Sequence, residues 1–420
     1  MCRWPWLALT VTAVVTLSAC SEPFLPDAPN ASVTLDGPID GLSSSQVAVH
    51  AQGDAEFARR FAPVDGLGPL FVATSCESCH VGDGKGHPLF DITRFGRVLS
   101  GAFDPMKSEG GPQLQNRAIL GYLAERVPAG ATATARFTAP SVSGLGYLEA
   151  VEDATIRALA DPTDANEDGI SGRLSLVDSS DFIADIASVS TIAAGAATTR
   201  HLPIDGKYVG RFGKKARTIN LLHQTVFAYS EDMGITSELV PRDLYNRQVG
   251  VQGGDGVADP ELATSVLNAV VFYLRTLRAP PRRDANAPSV REGERLFVQV
   301  GCAGCHVTTL RTGRSDIPQL NNIGFSPFTD LLLHDMGSEL DDGYTEGDAS
   351  PSEWRTAPLW GVGLAERAQG GSAHYLHDGR AKSLRDAIQL HGGEGTRSRT
   401  AFNALTAEQQ ERLLAYLRSL

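Results

Sequence analysis

Cys76-Glu77-Ser78-Cys79-His80 and Cys302-Ala303-Gly304-Cys305-His306 are two copies of one pattern, C-x-x-C-H, in a chain that has six cysteines in all. On a helical turn, residues at i and i+3 face the same side. Two cysteines placed so can form thioethers with the two vinyl groups of one haem, and the adjacent histidine then offers its imidazole to the iron. A thioredoxin-like redox pair needs only the two cysteines, beside a βαβ pattern that is not evident here. The motifs predict two covalently bound haem c groups, attached through Cys76, Cys79, Cys302 and Cys305, with His80 and His306 as iron ligands.

Outward from the motifs the chain repeats itself. Leu70-Phe71-Val72 precedes the first motif by the same offset as Leu296-Phe297-Val298 precedes the second. Each copy then carries Thr-Ala-Pro, at Thr138-Ala139-Pro140 and Thr356-Ala357-Pro358. Each closes on an apolar run, Leu262 to Leu277 ending Tyr-Leu-Arg-Thr-Leu and Leu413 to Leu420 ending Tyr-Leu-Arg-Ser-Leu. Landmarks recurring in one order predict duplicated domains. The polar, Pro-rich segment Ala279-Pro280-Pro281-Arg282-Arg283-Asp284 reads as the linker between them. With few alternating β-branched runs, the expected fold is mostly α: two cytochrome c-like haem domains in tandem, with long loops. The first, over 55–279, is lengthened by an insertion that includes Ala154 to Leu176 and a helical stretch near Asn220 to Tyr229; the second covers 285–420.

The N-terminal residues predict export. Arg3 leads into an apolar run, Trp6 to Val15, which closes on Leu17-Ser18-Ala19-Cys20. The run is too short to span a bilayer and reads as a signal peptide over 1–19. Leu-Ser-Ala-Cys resembles the bacterial lipobox, which makes Cys20 the lipidated first residue of the mature chain; an ordinary secretory signal is the alternative. Acyl chains contribute about 0.8 kcal/mol per buried CH₂, enough in number to hold a protein on a membrane. Ser21, a non-Asp residue after the cysteine, favours the outer membrane in lipoproteins of this kind. Residues 20–54, rich in Pro, Ser, Asp and Gly, suit a flexible tether. Export and two complete haem signatures together speak against a Cys₂His zinc unit. At 420 residues the chain is long enough for two or three domains. A formal charge of −12 without a Lys/Arg block argues against nucleic acid and suits a soluble basic partner or none.

A family resemblance adds to this. Glu353-Trp354-Arg355-Thr356-Ala357-Pro358, Tyr375-Leu376-His377-Asp378-Gly379-Arg380 and Leu384-Arg385-Asp386-Ala387-Ile388 resemble the bacterial di-haem cytochrome c peroxidases and the related methylamine-utilisation enzyme. Gly210-Arg211-Phe212-Gly213, Asp232-Met233-Gly234-Ile235-Thr236, Asp330 to Gly337 and His391-Gly392-Gly393-Glu394 are closer still to the di-haem oxidoreductase family. The resemblance runs from about residue 55 to the end. In the peroxidases, a Met after the helix that follows His-Asp-Gly ligates the electron-transfer iron. His391 stands there in this chain, which implies a bis-His iron of lowered potential, with Met336 as the other candidate. The resemblance implies a structural role for His377 near a propionate, and none for His334 or His374.

The first iron has no evident sixth ligand, since neither His87 nor Met106 lies in a ligand context; an open position is what peroxide would need. The resemblance places Glu149 where the peroxidases keep a distal acid, with Gln113 or Gln115 supplying an amide. The other reading of Glu149 is a carboxylate at a helix start. Asp164-Ala165-Asn166-Glu167-Asp168-Gly169 offers alternate oxygens and a Gly turn, as Ca²⁺ loops do, through Asp164, Asn166 and Asp168. Ser175 holds the place of the usual twelfth-position Glu, and a plain Asx-rich turn is the alternative. Three functional readings follow. One is a peroxidase-type oxidoreductase, fed by a small electron-donor protein or a quinol-linked cytochrome, in which electrons pass from the C-terminal haem to the N-terminal one, where peroxide or another oxidant is reduced. The second is a non-catalytic di-haem electron carrier. The third is an oxidase that modifies a protein or small substrate through high-valent iron.

Overall fold

In the computed structural model, each half is built on two helices that touch at a glycine. The residues described are 35–178, 180, 202–250 and 254–420. The expected signal peptide, Cys20 and the tether up to residue 34 lie outside them. Helix α1 (Ser44–Ala58) opens on a capping box between Ser43 and Gln46 and packs on α2 (Thr264–Thr276). Helix α3 (Pro288–Gln299) packs in the same way on α4 (Ala407–Ser419), which opens on the Thr406–Gln409 capping box. A Cβ on Gly53 would lie 2.1 Å from Ala269 O and 2.6 Å from Tyr273 Cβ; one on Gly293 would lie 2.0 Å from Arg412 O and 2.7 Å from Tyr416 Cβ. Only glycine lets these backbones approach so closely.

The rings beside those glycines are arranged alike in the two halves. Phe57 and Tyr273 have centroids 5.5 Å apart, Phe297 and Tyr416 5.4 Å. Phe57 then lies 6.0 Å from the ring of His80, and Phe297 6.5 Å from that of His306. Phe57 is therefore the structural counterpart of Phe297. The Leu70-Phe71-Val72 equivalence drawn from sequence offsets is corrected, because Leu70–Phe71 is a short strand paired with Arg117–Ala118. The tether is corrected as well. Its residues 44–54 are part of α1, Leu35 and Ile39 are buried, and the Ile39 N–H donates to Thr276 O at 2.8 Å.

The fold is mixed rather than mostly α, with 33% helix and 14% strand. Strands β1 (Ile92–Leu99), β2 (Ala102–Asp104) and β3 (Ala133–Phe137) form an antiparallel sheet in the order β2-β1-β3. Ala133-Thr134-Ala135-Arg136-Phe137 does alternate buried and exposed, but Ala and Arg are weak strand formers and mask the period. In the second half, β4 (Leu333–Asp335) pairs with β5 (Glu353–Arg355). The two halves share a core: that of the first takes in Leu310, Leu331, Leu332 and Trp360 of the second. Among the described residues, no helix is long and apolar enough to cross a membrane.

Candidate haem centres

The first motif is a hydrogen-bonded turn rather than a helix, with the N–H groups of Cys79 and His80 both donating to Cys76 O at 3.1 and 3.0 Å. The second is a 3₁₀ turn over Cys302–Gly304, and the His306 N–H donates to Cys302 O at 3.0 Å. Either turn brings the two cysteines of a pair to one side. No disulfide joins them. Burial pushes the Cys76 and Cys302 thiols up to about 12 and Cys79 to about 11, so they stand as neutral thiols. His80 Nδ1 lies 2.8 Å from Pro140 O, and His306 Nδ1 lies 2.8 Å from Phe328 O. A carbonyl only accepts, so each Nδ1 carries the proton and each Nε2 keeps its lone pair for a metal. Burial brings both imidazoles down to about 4, which keeps them in the neutral, ligating form. These thiols and imidazoles fit two haems of the c type.

Around the second motif, His391 repeats the device. Its Nδ1 lies 2.6 Å from Ala387 O, burial lowers its pKa, and it interacts electrostatically with His306. Met336 is close by: a Cβ added to Gly395 would lie 2.9 Å from His391 Cβ and 3.3 Å from Met336 Cε. Both candidate ligands thus face one place. His334, given no role by its sequence context, is the most firmly held histidine of the group. Nε2 lies 2.8 Å from Asp330 Oδ2 and Nδ1 2.7 Å from Glu394 Oε2, while Cys305 Sγ is 3.5 Å from Nδ1. Burial works against its charge, but the two carboxylates prevail and raise it to about 12, so His334 is an imidazolium. Its sequence signal was Glu394 in His-Gly-Gly-Glu, whose partner 60 residues away could not be read. His377 stacks on Trp354 with centroids 3.7 Å apart and planes at 10°, and His374 packs against His87.

Around the first motif, Glu149 is bound into the fold. Its carboxylate, 1% exposed, takes 2.5 Å and 2.7 Å hydrogen bonds from Arg275 Nε and the Leu221 N–H. Both oxygens are thus engaged within the fold, and the pairing with Arg275 ties Glu149 to α2. Gln113 is better placed. Its Nε2 donates to Asp232 Oδ1 at 2.6 Å and to Glu231 O at 2.9 Å, and Gln115 Nε2 donates to the same carbonyl at 3.2 Å.

Asp232 is the group that sequence reasoning missed. Its backbone carbonyl accepts from the N–H groups of Val72 and Ala73, just ahead of the motif, and its charge acts on both Cys76 and Cys79. Burial raises its carboxyl to about 6. The neighbouring Glu231 behaves oppositely: burial would raise it, but Arg217 and Arg94, at 2.7 and 3.0 Å, bring it to about 2. Two adjacent carboxyls are thereby separated in function, one fixed as an anion and one able to exchange a proton near neutral pH. His87 accepts a hydrogen bond from the Leu89 N–H, and Met106 is buried beside Gly130.

The Asp164–Asp168 loop turns its oxygens inward. Asp164 accepts from the Gly169 N–H, Asn166 from that of Asp168, and Asp168 from that of Ile170. Such Asx turns close the loop by themselves. The loop reaches the second motif, where a Cβ on Gly304 would lie 2.5 Å from Ile170 Cδ1.

A family model described as "Di-haem oxidoreductase, putative peroxidase" matches residues 18–94 and 127–420. No curated protein matches the chain. A solved structure of hydrazine synthase from Kuenenia stuttgartiensis is similar at 14% identity and a TM-score of 0.38, over 100% of each chain. A MauG-like protein associated with microbial copper homeostasis is similar at 13% identity and a TM-score of 0.38, over 94% of this chain and 95% of that one.

Proposed function

This chain belongs to the di-haem oxidoreductase family, and we propose that it is a peroxidase-type member whose two covalently bound haems divide the work. The observation that carries this reading is an asymmetry between the two motifs. Beside His306 stands another half-buried imidazole, His391, with its Nδ1 tied to a carbonyl. Beside the cysteines of the first motif stands instead a titratable carboxyl, Asp232, held by Gln113.

When bound, the haems supply one-electron storage and an iron that can take peroxide. Cys76, Cys79 and His80 would hold one of them, and Cys302, Cys305 and His306 the other. His391 would hold the second haem together with His306, and that haem would then supply electron passage rather than a place for small molecules. Reduction of H₂O₂ to two waters consumes two electrons and two protons. Asp232 is the group that takes a proton from the peroxide and returns it to the departing oxygen, a service worth about 10²–10⁴-fold in rate. Gln113 holds that carboxyl in place through its amide, while Arg94 and Arg217 keep Glu231 ionised so that Asp232 alone exchanges protons. The electrons come from a small donor protein or a quinol-linked cytochrome; the net charge of −12 suits a basic donor.

The test is spectroscopic. The purified protein should keep its haem through denaturation and give two c-type pyridine haemochromes per chain. It should also show one high-spin and one low-spin ferric signal and react rapidly with H₂O₂. Two low-spin irons inert to peroxide would leave the electron carrier as the correct reading. We further place the protein on the periplasmic side, anchored through lipid on Cys20 and residing at the outer membrane. Cys20→Ala should then release it from the membrane fraction, and retention there would refute the anchor.

A further inference from the structure

His391 and Met336 flank the same glycine, so something must decide which of them meets the iron. The two lie on segments that press together backbone to backbone. A Cβ on Gly393 would fall 2.1 Å from Asp335 O, and one on Gly337 would fall 2.7 Å from Gly393 N. Contact this close fixes the register of the segments only if a further bond stops them from sliding apart.

Glu394 supplies it. One oxygen of its carboxylate accepts from His334 Nδ1 at 2.7 Å and from the Ser171 N–H at 2.9 Å. The other accepts from the Asp335 N–H at 2.9 Å and from Ser171 Oγ at 3.0 Å. Every bond runs from the His391 segment to β4 or to the insertion of the first half. His334 is in turn fixed by Asp330 and is 2% exposed. It lies two residues before Met336, as Glu394 lies three after His391. Charge-assisted bonds of this kind are about twice as strong as neutral ones, and a buried one sets geometry as well as energy.

We propose that the Glu394–His334 ion pair, braced by Ser171, is the positioning element that presents His391 rather than Met336 to the C-terminal iron. It rests on the reading that His306 and His391 hold the second haem. Without the pair, the His391 turn is free to leave β4, and the thioether of Met336 takes the vacated position. Because Ser171 belongs to the insertion of the first half, ligand choice at the second iron depends on a residue supplied by the other half.

The experiment uses the haem-loaded protein and reads ligation. Wild type should show the ferric EPR signature of two imidazoles at one iron and no far-red Met-to-iron charge-transfer band. Glu394→Gln and His334→Gln should each lose that bis-imidazole signal, gain the band and raise the midpoint potential of one haem. The signals of the other haem serve as the folding control. Combining either with Met336→Leu should abolish the band. If both single variants keep the wild-type signature, the pair positions nothing and the proposal fails. If wild type itself lacks bis-imidazole ligation, the underlying assignment of His391 fails instead, a separate and recognisable outcome. Should Glu394→Gln not accumulate, Ser171→Ala removes one bond of the four, and a mixed His/Met spectrum supports the proposal while an unchanged one counts against it.

Discussion

Gln113 Nε2 donates a 2.6 Å hydrogen bond to Asp232 Oδ1, joining two residues that are 119 positions apart in the chain. The bond helps the ionised carboxylate, but burial outweighs it, and the carboxyl is raised to about 6. A raised carboxyl must be ionised to accept a proton, so the rate of reaction with H₂O₂ should climb as pH rises through about 6. The same shift makes the folded state bind this proton more tightly than the unfolded chain does. Its contribution therefore weakens stability as pH rises from the ordinary carboxylate range to about 6. Asp232→Asn should abolish the acid limb and lower kcat/KM by roughly 10²-fold or more. Stopped-flow measurement against pH decides it, and an unchanged limb in the variant would assign the proton to another group.

Glu149 makes the opposite kind of prediction. Its pairing with Arg275 is buried on both sides, with side chains 1% and 4% exposed. Removing one partner of such a pair leaves an uncompensated charge and costs about 3–5 kcal/mol. Glu149→Gln should lower the denaturation midpoint by a corresponding amount, while the folded fraction reacts with peroxide at the wild-type rate. A stable but inactive variant would restore Glu149 as the acid.

The matched glycines should be equally intolerant. Gly53→Ala and Gly293→Ala each drive a methyl into a carbonyl of the facing helix, and overpacking of this kind costs about 1–3 kcal/mol. Gly324 has nothing within 4 Å of an added Cβ, and Gly324→Ala should fall within about 0.5 kcal/mol of wild type. Thermal unfolding of the three variants makes the comparison. Equal midpoints would show that the helix pairs adjust without strain.

His391→Ala should change one iron and spare the other. The C-terminal haem should turn high-spin or take Met336, with a rise in potential, because imidazole stabilises ferric iron better than a thioether does. EPR of the oxidised variant reads this directly. A spectrum identical to wild type would mean that His391 ligates neither iron.

Some of this was readable in the chain because the chemistry is local. Each C-x-x-C-H motif packs two thiols and an imidazole into five residues, so its meaning survives without a fold. The Tyr-Leu-Arg-Thr-Leu and Tyr-Leu-Arg-Ser-Leu closings were readable for a similar reason, since Tyr273 and Tyr416 do the same job within their own helices.

The partners of those elements were not readable. Phe57 stands 19 residues before Cys76, whereas Phe297 stands 5 before Cys302. Packing constrains where a ring ends up beside a histidine, not how much chain loops out on the way, so a fixed offset chose Phe71 instead. Glu149 sits where a distal acid was expected, but only the tertiary structure shows Arg275 occupying it. Asp232 and Glu394 acquire their roles from residues more than fifty positions distant. The sequence by itself determined which groups are on offer to a haem, because the C-x-x-C-H pattern is set by covalent neighbours. Only the tertiary structure decided which groups serve it, because a carboxyl's pKa and a histidine's charge depend on burial and on contacts made when distant segments fold together.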